Sequence, residues 1–225
     1  MSQIINFYDK LPKSLLPKST NPNYSKIGIK LPFRMCIVGS SGSGKTNTLL
    51  NLIYLMPNTF ADICLLTKNS DEPLYNLLKE KLGDHFNIFE NYDDLPTIDE
   101  YDKTKQHLVV FDDIVLDKKQ DKMIEYFIRA SKQNVSVIYI SQSYFGIPKE
   151  IRGNINYLIV KKIAQDRDLN LIFSEYSLGV DKKTLVNMYR QVSENPMNFL
   201  LIDVDEPNIN RKFRLNFDSA FIIES

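Results

Sequence analysis

The sequence predicts an α/β domain of three layers with a mostly parallel central sheet. Three observations carry that prediction. Short apolar runs ending in small or acidic residues alternate with stretches of helical spacing, the runs read as strands buried on both faces, and 225 residues with 43% hydrophobic content suit one sizeable core rather than two. The charge is balanced, 28 basic against 28 acidic residues, which leaves no global field to draw the chain to nucleic acid or an anionic surface. Any such role must rest on local patches. The apolar runs fall far short of the roughly 20 residues that cross a bilayer, so no membrane span is expected. MSQIINFYDKLPK lacks the basic start and sustained apolar stretch of an export signal, and Cys36 and Cys64 lie in apolar runs without a CxxC or Cys/His partner. Both are expected as buried free thiols.

The elements follow in order. Residues 1–32 form a proline-rich basic arm, carrying Lys10, Lys13, Lys18, Lys26 and Lys30, with Arg34 just beyond, against a single acid, Asp9. It reads equally as a strap over the core or as an arm that contacts DNA or a partner. Residues 33–225 form the domain proper. RMCIVGS (34–40) is a strand ending in glycine, and the residues after it form a helix in which Leu49, Leu50, Leu52, Ile53, Leu55 and Met56 cover most of the circumference, predicting a buried helix. DICLLTK (62–68) is a second strand. A helix follows with Pro73 in its first turn, Leu74, Leu77, Leu78 and Leu82 on one face, and Gly83 past its end. The acidic stretch to residue 103 reads as loop around a short strand at FNIF. HLVVFDD (107–113), VSVIYISQ (135–142) and YLIVKK (157–162) are further strands, with a helix over KQDKMIEYFIRASK between the first two. Helices at 165–177 and 181–192 precede a terminal strand pair, NFLLIDV and KFRLNF, joined by polar EPNINR.

The most specific motif is Gly39-Ser40-Ser41-Gly42-Ser43-Gly44-Lys45-Thr46, a complete GxxxxGK[ST] between a predicted strand and helix, with Asn47 next in the helix. A polyphosphate needs several amides converging on it, which only a loop poor in side chains permits. Lys45 supplies a point charge to the β- and γ-phosphates, and Thr46 a hydroxyl for Mg²⁺. This places the fold among P-loop NTPases of the RecA/ASCE kind, binding ATP and Mg²⁺ at the carboxyl ends of the strands. Leu108-Val109-Val110-Phe111 then delivers Asp112 and Asp113 at a strand end. Asp112 is placed to hold Mg²⁺ and Asp113 to orient or deprotonate the attacking water. Asp113 is one methylene shorter than the glutamate many motor ATPases carry, so either the backbone sits closer to the γ-phosphate or hydrolysis is slower. Gln142 ends its strand, and its amide would sit beside the γ-phosphate if that strand lay between those of Gly39 and Asp112. Arg129, beside an apolar stripe of Met123, Ile124, Phe127 and Ile128, and Arg152, past the Gln142 strand, are expected to project freely; either could reach a neighbour's γ-phosphate.

LPFRMCIVGSSGSGKT, HLVVFDDI and FIRASKQNVSVIYISQSYFGIPKEIRGN together resemble the FtsK–HerA superfamily, and within it the virion DNA-packaging ATPases of the poxvirus, giant-virus, virophage and polinton kind. The resemblance covers nearly the whole chain, and the last segment is more specific than either nucleotide motif. It implies that Gly39 to Thr46 bind ATP, that Asp112 and Asp113 handle Mg²⁺ and water, that Gln142 is a polar sensor and that Arg129 or Arg152 acts in trans. Relatives often carry basic or His residues where this chain has Ala130-Ser131-Lys132-Gln133. The resemblance further implies a homo-oligomeric ring, pentamer or hexamer, that moves double-stranded DNA into a preformed capsid, contacts capsid or vertex proteins, and works in the host cytoplasm (viral factory), the virion or both. A motor grips the phosphate backbone without reading bases. Candidate contacts are the arm, Lys149, Lys161, Lys162, Lys182 and Lys183.

Other readings are less well supported by the residues. A GTPase needs an [NT]KxD element, which TKNSD (67–71) misses by one residue. A nucleoside or nucleotide kinase fits the size, but no arginine-rich lid is visible. A scaffold that binds ATP and turns it over poorly remains compatible with the double aspartate.

Overall fold

The computed structural model describes residues 5–12, 21–114 and 120–223. Within them nine strands build a single sheet: β1 (Arg34–Val38), β2 (Asp62–Thr67), β3 (Phe86–Phe89), β4 (His107–Asp112), β5 (Val135–Ser141), β6 (Tyr157–Val160), β7 (Leu200–Asp203), β8 (Phe213–Leu215) and β9 (Ser219–Ala220). Their order is β3-β2-β4-β5-β1-β6-β7-β8-β9. The first six run parallel, and β7, β8 and β9 continue the sheet antiparallel. The predicted α/β architecture is the observed one.

Alternation along the central strands divides the core into two. Met35, Ile37, Ile63, Leu65, Leu108, Val110, Ile138 and Ile140 face one side, while Cys36, Val38, Cys64, Leu66, Val109, Phe111, Val137 and Tyr139 face the other. The first side is covered by α2 (Lys45–Leu55) and α3 (Pro73–Leu82), and the second by α4 (Asp121–Arg129), α6 (Asp166–Glu175) and α7 (Lys182–Ser193). Each fully buried aliphatic residue contributes roughly 1.5–3 kcal/mol, so a sheet apolar on both faces is stable only when both are roofed. Cys36 and Cys64 are buried free thiols, as their neighbours predict.

Three short α-helices are added among the described residues: α1 (Tyr24–Ile27), α5 (Lys149–Arg152) and α8 (Ile209–Lys212), the last taking up the end of the segment read as a polar join and the first residue of the strand read after it. The second half of the arm is not an appendage. Ile27 and Ile29 are fully buried in the α2 side of the core, and Arg214 on β8 donates to the carbonyls of Ile27 and Gly28. Lys13 and Lys18 lie outside the described residues, as does Lys119 at the start of the helix expected over KQDKMIEYFIRASK.

The acidic stretch 84–103 does structural work that its composition hides. Tyr92, Leu95, Ile98 and Tyr101 insert into the second core, and a one-turn helix at Ile98–Glu100 carries a Thr97/Glu100 capping box. It roofs the same face as α4, whose Tyr126 packs against Tyr101. Two helix faces also differ from expectation. Of α2, only Thr48, Leu49, Leu52 and Ile53 are buried while Leu50 and Leu55 are half-buried, because the sheet covers one side alone; Tyr54 is exposed, as its place on one polar line with Asn47 and Asn51 predicts. In α3, Tyr75 and Leu78 point inward and Leu77 outward, a rotation with a consequence at the site.

Candidate active site

The loop from Gly39 to Gly44 leaves β1 and feeds α2, and its three glycines meet two separate demands. A Cβ at Gly39 would stand 2.5 Å from Lys161 Cβ and 2.6 Å from Ser43 Oγ, while Gly42 and Gly44 hold φ of 70° and 84°. Side chains at these positions would close or strain the loop. The loop is anchored by Ser40, whose amide donates to the Lys162 carbonyl and whose hydroxyl accepts from the Ala164 amide. Ser43 Oγ is buried without a partner. The amides that open α2 have no acceptor one turn earlier, as at any helix start. Together these groups form a cradle of donors suited to phosphate oxygens.

Lys45 folds back over this cradle, its Nζ 2.8 Å from the Gly39 carbonyl and 3.1 Å from that of Ser40. Burial lowers its pKa, and the charges of Asp112 and Asp113 oppose that shift. Both acids therefore lie near enough to act on the Lys45 ammonium through their charge, although consecutive residues of a regular strand point to opposite faces. The reason is Asp113: it leaves the strand with φ 52°, a left-handed conformation that short polar side chains tolerate best. The turn aims its carboxylate at Gln142, whose Nε2 donates to Asp113 Oδ2 at 2.7 Å. β5 pairs with both β1 and β4, so Gln142 does emerge between the loop and the two acids.

Asp112 carries a partner that the sequence did not reveal. Tyr75 Oη, from α3, donates to Asp112 Oδ2 at 2.5 Å. Burial raises the pKa of Asp112, and the Tyr75 hydrogen bond counters it. The Thr46 hydroxyl in the first turn of α2 and the Asp112 carboxylate are hard oxygen donors of the kind that suit Mg²⁺. No spacing signal pointed to Tyr75, since the leucine pattern of α3 placed the buried face elsewhere.

A second group of residues holds the segment after Gln142. Asp168, at the start of α6, is 1% exposed and accepts from Ser143 Oγ at 3.2 Å and from the amides of Tyr144 and Phe145 at 2.9 Å each. One buried carboxylate thus fixes the chain next to the sensor position. The linker 162–164 that leads to α6 also anchors Ser40.

The arginines and one lysine depart from expectation. Arg152 does not project freely: 13% of its side chain is exposed, its Nη1 bonds Glu175 at 2.6 Å and it lies 5.2 Å from the Tyr144 ring centre. α5 and α6 close around it. Arg129 is exposed but not free, since it pairs with Glu125 one turn earlier and lies 3.9 Å from Asp99. Lys161, a candidate DNA contact, is 1% exposed; its stem packs under Gly39 and its ammonium donates to the carbonyls of Pro196 and Met197. Lys149, Lys162, Lys182 and Lys183 are exposed.

Residues 23–218 match the family model of the poxvirus A32 protein. The chain belongs to the poxvirus A32 protein family. This is the poxvirus branch of the resemblance that the motifs carry. Among the relatives of this A32 chain, the DNA packaging protein OPG160 of Variola virus is 29% identical over 208 residues, covering 85% of this chain and 76% of that protein. Its counterpart in Vaccinia virus (strain Copenhagen) is 27% identical over 195 residues, covering 80% and 72%. The A32 chain is also similar in fold to the genome packaging NTPase B204 of Sulfolobus turreted icosahedral virus 2, solved with AMPPCP, at a TM-score of 0.59 and 14% identity, covering 82% of this chain and 97% of that one. The conjugation coupling protein TcpA, in its monomer form with ATPγS, gives a TM-score of 0.57 at 15% identity, covering 84% and 62%.

Proposed function

We propose that this A32-family chain is an ATPase that drives double-stranded DNA into a preformed capsid, acting as a homo-oligomeric ring against capsid or vertex proteins. The observation that carries the reading is the meeting of Lys45, Asp112, Asp113 and Gln142 at one glycine cradle, in a chain whose relatives are named DNA packaging proteins. Gly39 to Thr46 bind the triphosphate, with Asn47 continuing the helix start. Lys45 exchanges its own loop carbonyls for phosphate oxygens. Thr46 and Asp112 would hold Mg²⁺, which when bound neutralises charge on the β- and γ-phosphates. Asp113 accepts the proton of the attacking water, and Gln142, bonded to that carboxylate, holds it in aim. Loss of the γ-phosphate then changes what Gln142 faces, and the Asp168-clamped segment passes the change to α6.

Of the two arginines, Arg129 is the better placed to act in trans. Its exposed ion pairs contribute little, about 0–1 kcal/mol, so it can leave them, whereas Arg152 is itself largely buried and would have to give up both its bond to Glu175 and its place against the Tyr144 ring. Exposed Lys149, Lys162, Lys182 and Lys183 are offered as contacts to the DNA backbone. The arm 1–32 is read as a strap from residue 21 onward, supported by the burial of Ile27 and Ile29. The domain proper is taken as 33–225, and the working location as host cytoplasm or virion.

The test is phosphate release by the purified chain with and without double-stranded DNA. Wild type should accelerate with DNA, and Lys45→Ala should weaken ATP binding at least about tenfold, the equivalent of one charge-assisted hydrogen bond. In mixed assemblies, Arg129→Ala subunits should silence wild-type neighbours while still binding ATP. Undiminished ATP affinity in Lys45→Ala refutes the cradle; DNA-independent turnover refutes the motor.

A further inference from the structure

A groove of about 780 Å³ runs between the carboxyl-terminal half of α2 and α3. Ile53, Tyr54 and Leu55 contribute from one helix and Leu77, Leu78 and Leu82 from the other, so its walls are mostly apolar. Tyr54 is 81% exposed and Leu77 is exposed with it, on helices whose inward faces are sealed in the core. A contiguous apolar strip on a water-facing surface marks a place where another surface docks. The charged residues that line it are Lys26 and Lys81, both exposed. Lys81 meets only the adjacent Glu80, at 3.7 Å and open to solvent.

The same chain presents a complementary surface. Phe7–Lys10 form a single 3₁₀ turn, across which Asn6 Nδ2 donates to Asp9 Oδ1 at 3.0 Å. Phe7 is 70% exposed, and Ile5 and Leu11 on either side of the turn are exposed as well. Asp9, the one acid of residues 1–32, is exposed among them. Lys10 lies 5.4 Å from the Phe7 ring centre, which gives that cation a partner within the turn. No residue of 5–12 lines the groove of its own copy. The nine residues between Leu11 and Asn21 give the segment a reach of up to about 30 Å, enough to cross to a neighbouring molecule.

We propose that residues 5–11 of one copy dock in the α2–α3 groove of a second copy, with Ile5, Phe7 and Leu11 against its apolar walls and Asp9 meeting its lysines. A segment of one subunit seated on a different surface of the next is a heterologous contact, the kind that closes into rings. The inference rests on the homo-oligomeric reading given above. α3 also carries Tyr75 to Asp112 on its inward side, so the docked segment bears on a helix that reaches the site.

The test is the mass in solution of the full chain with ATP, Mg²⁺ and double-stranded DNA, for wild type, Phe7→Lys and Leu77→Lys. Each substitution sets a further cation among the groove lysines and should weaken assembly about tenfold, with ATP affinity within about twofold of wild type. In a second measurement, chains carrying Phe7→Cys are mixed with chains carrying Leu77→Cys and oxidised. A disulfide joining the two different chains is expected, in greater yield than when Ile222→Cys replaces Leu77→Cys; equal yields overturn the groove. A chain with both Phe7→Cys and Leu77→Cys that closes the disulfide within one copy overturns docking between copies. Lysine variants that assemble as well as wild type overturn it too and leave the ring reading intact. A wild type that stays a single copy overturns the ring reading, and the docking with it.

Discussion

Asp113 reaches Gln142 only because its backbone departs from the strand with φ 52°. The two acids were legible as residue types at a strand end, but the direction of the second depends on that one dihedral. Asp113→Asn should keep ATP affinity and lower turnover roughly 10²-fold, the usual worth of a general base, read by phosphate release at saturating ATP. Tyr75 is the residue that pattern reading missed, because an aromatic among four leucines carries no signal of its hydroxyl's destination. Tyr75→Phe should raise the Mg²⁺ concentration that half-saturates binding of ATP, measured by titration, while costing roughly 0.5–1.5 kcal/mol of stability; an unchanged midpoint would remove Tyr75 from the metal site. Away from the site, His107 has both ring nitrogens at acceptors, Asp62 Oδ2 at 2.8 Å and the Asp102 carbonyl at 3.0 Å. Burial disfavours its charge, but these hydrogen bonds outweigh that and raise its pKa above the ordinary 6.5. A raised pKa contributes stability that is full below 6.5 and lost as pH rises through the folded value. The Tm gap between wild type and His107→Gln should therefore shrink as pH rises above 6.5, and a gap that widens would contradict the charged pair.

At the scale of elements, the order of strands and helices followed from apolar run lengths and from Pro73 and Gly83 at either end of α3. Which face each helix buries did not. α3 turns Tyr75 inward and Leu77 outward because the carboxyl end of β4 lies within reach of the first and solvent within reach of the second. α6 is similar: its leucines and Phe173 announce an amphipathic helix, but Asp168, an acid in the first turn, reads as a solvent-facing residue near a helix dipole. In the fold it is buried and satisfies three donors of the 143–145 segment. Asp168→Ala leaves those donors unpaired and should cost roughly 2–4 kcal/mol in urea unfolding. If the segment also carries the γ-phosphate signal, turnover should fall more than ATP affinity does. A variant as stable and active as wild type would reduce Asp168 to a bystander.

For the molecule as a whole, the sheet order decides what the site contains, since β5 inserted between β1 and β4 brings three sequence-distant segments to one edge. The same order makes residues 27–31 part of the core rather than of a loose arm. Ile29→Ala should accordingly cost about 2–5 kcal/mol, as much as Ile138→Ala in β5, with the urea midpoint as the measure; a cost under about 1 kcal/mol would detach the strap. The sequence by itself determined the layered α/β class, the phosphate loop and the acidic strand end, because these depend on local periodicity and on contiguous residues whose chemistry is fixed by type. Only the tertiary structure decided that Tyr75 meets Asp112, that Arg152 and Lys161 turn inward, and that Asp168 clamps the segment after Gln142. Those outcomes depend on which side chains from distant elements reach one another, and a linear pattern carries no information about that distance.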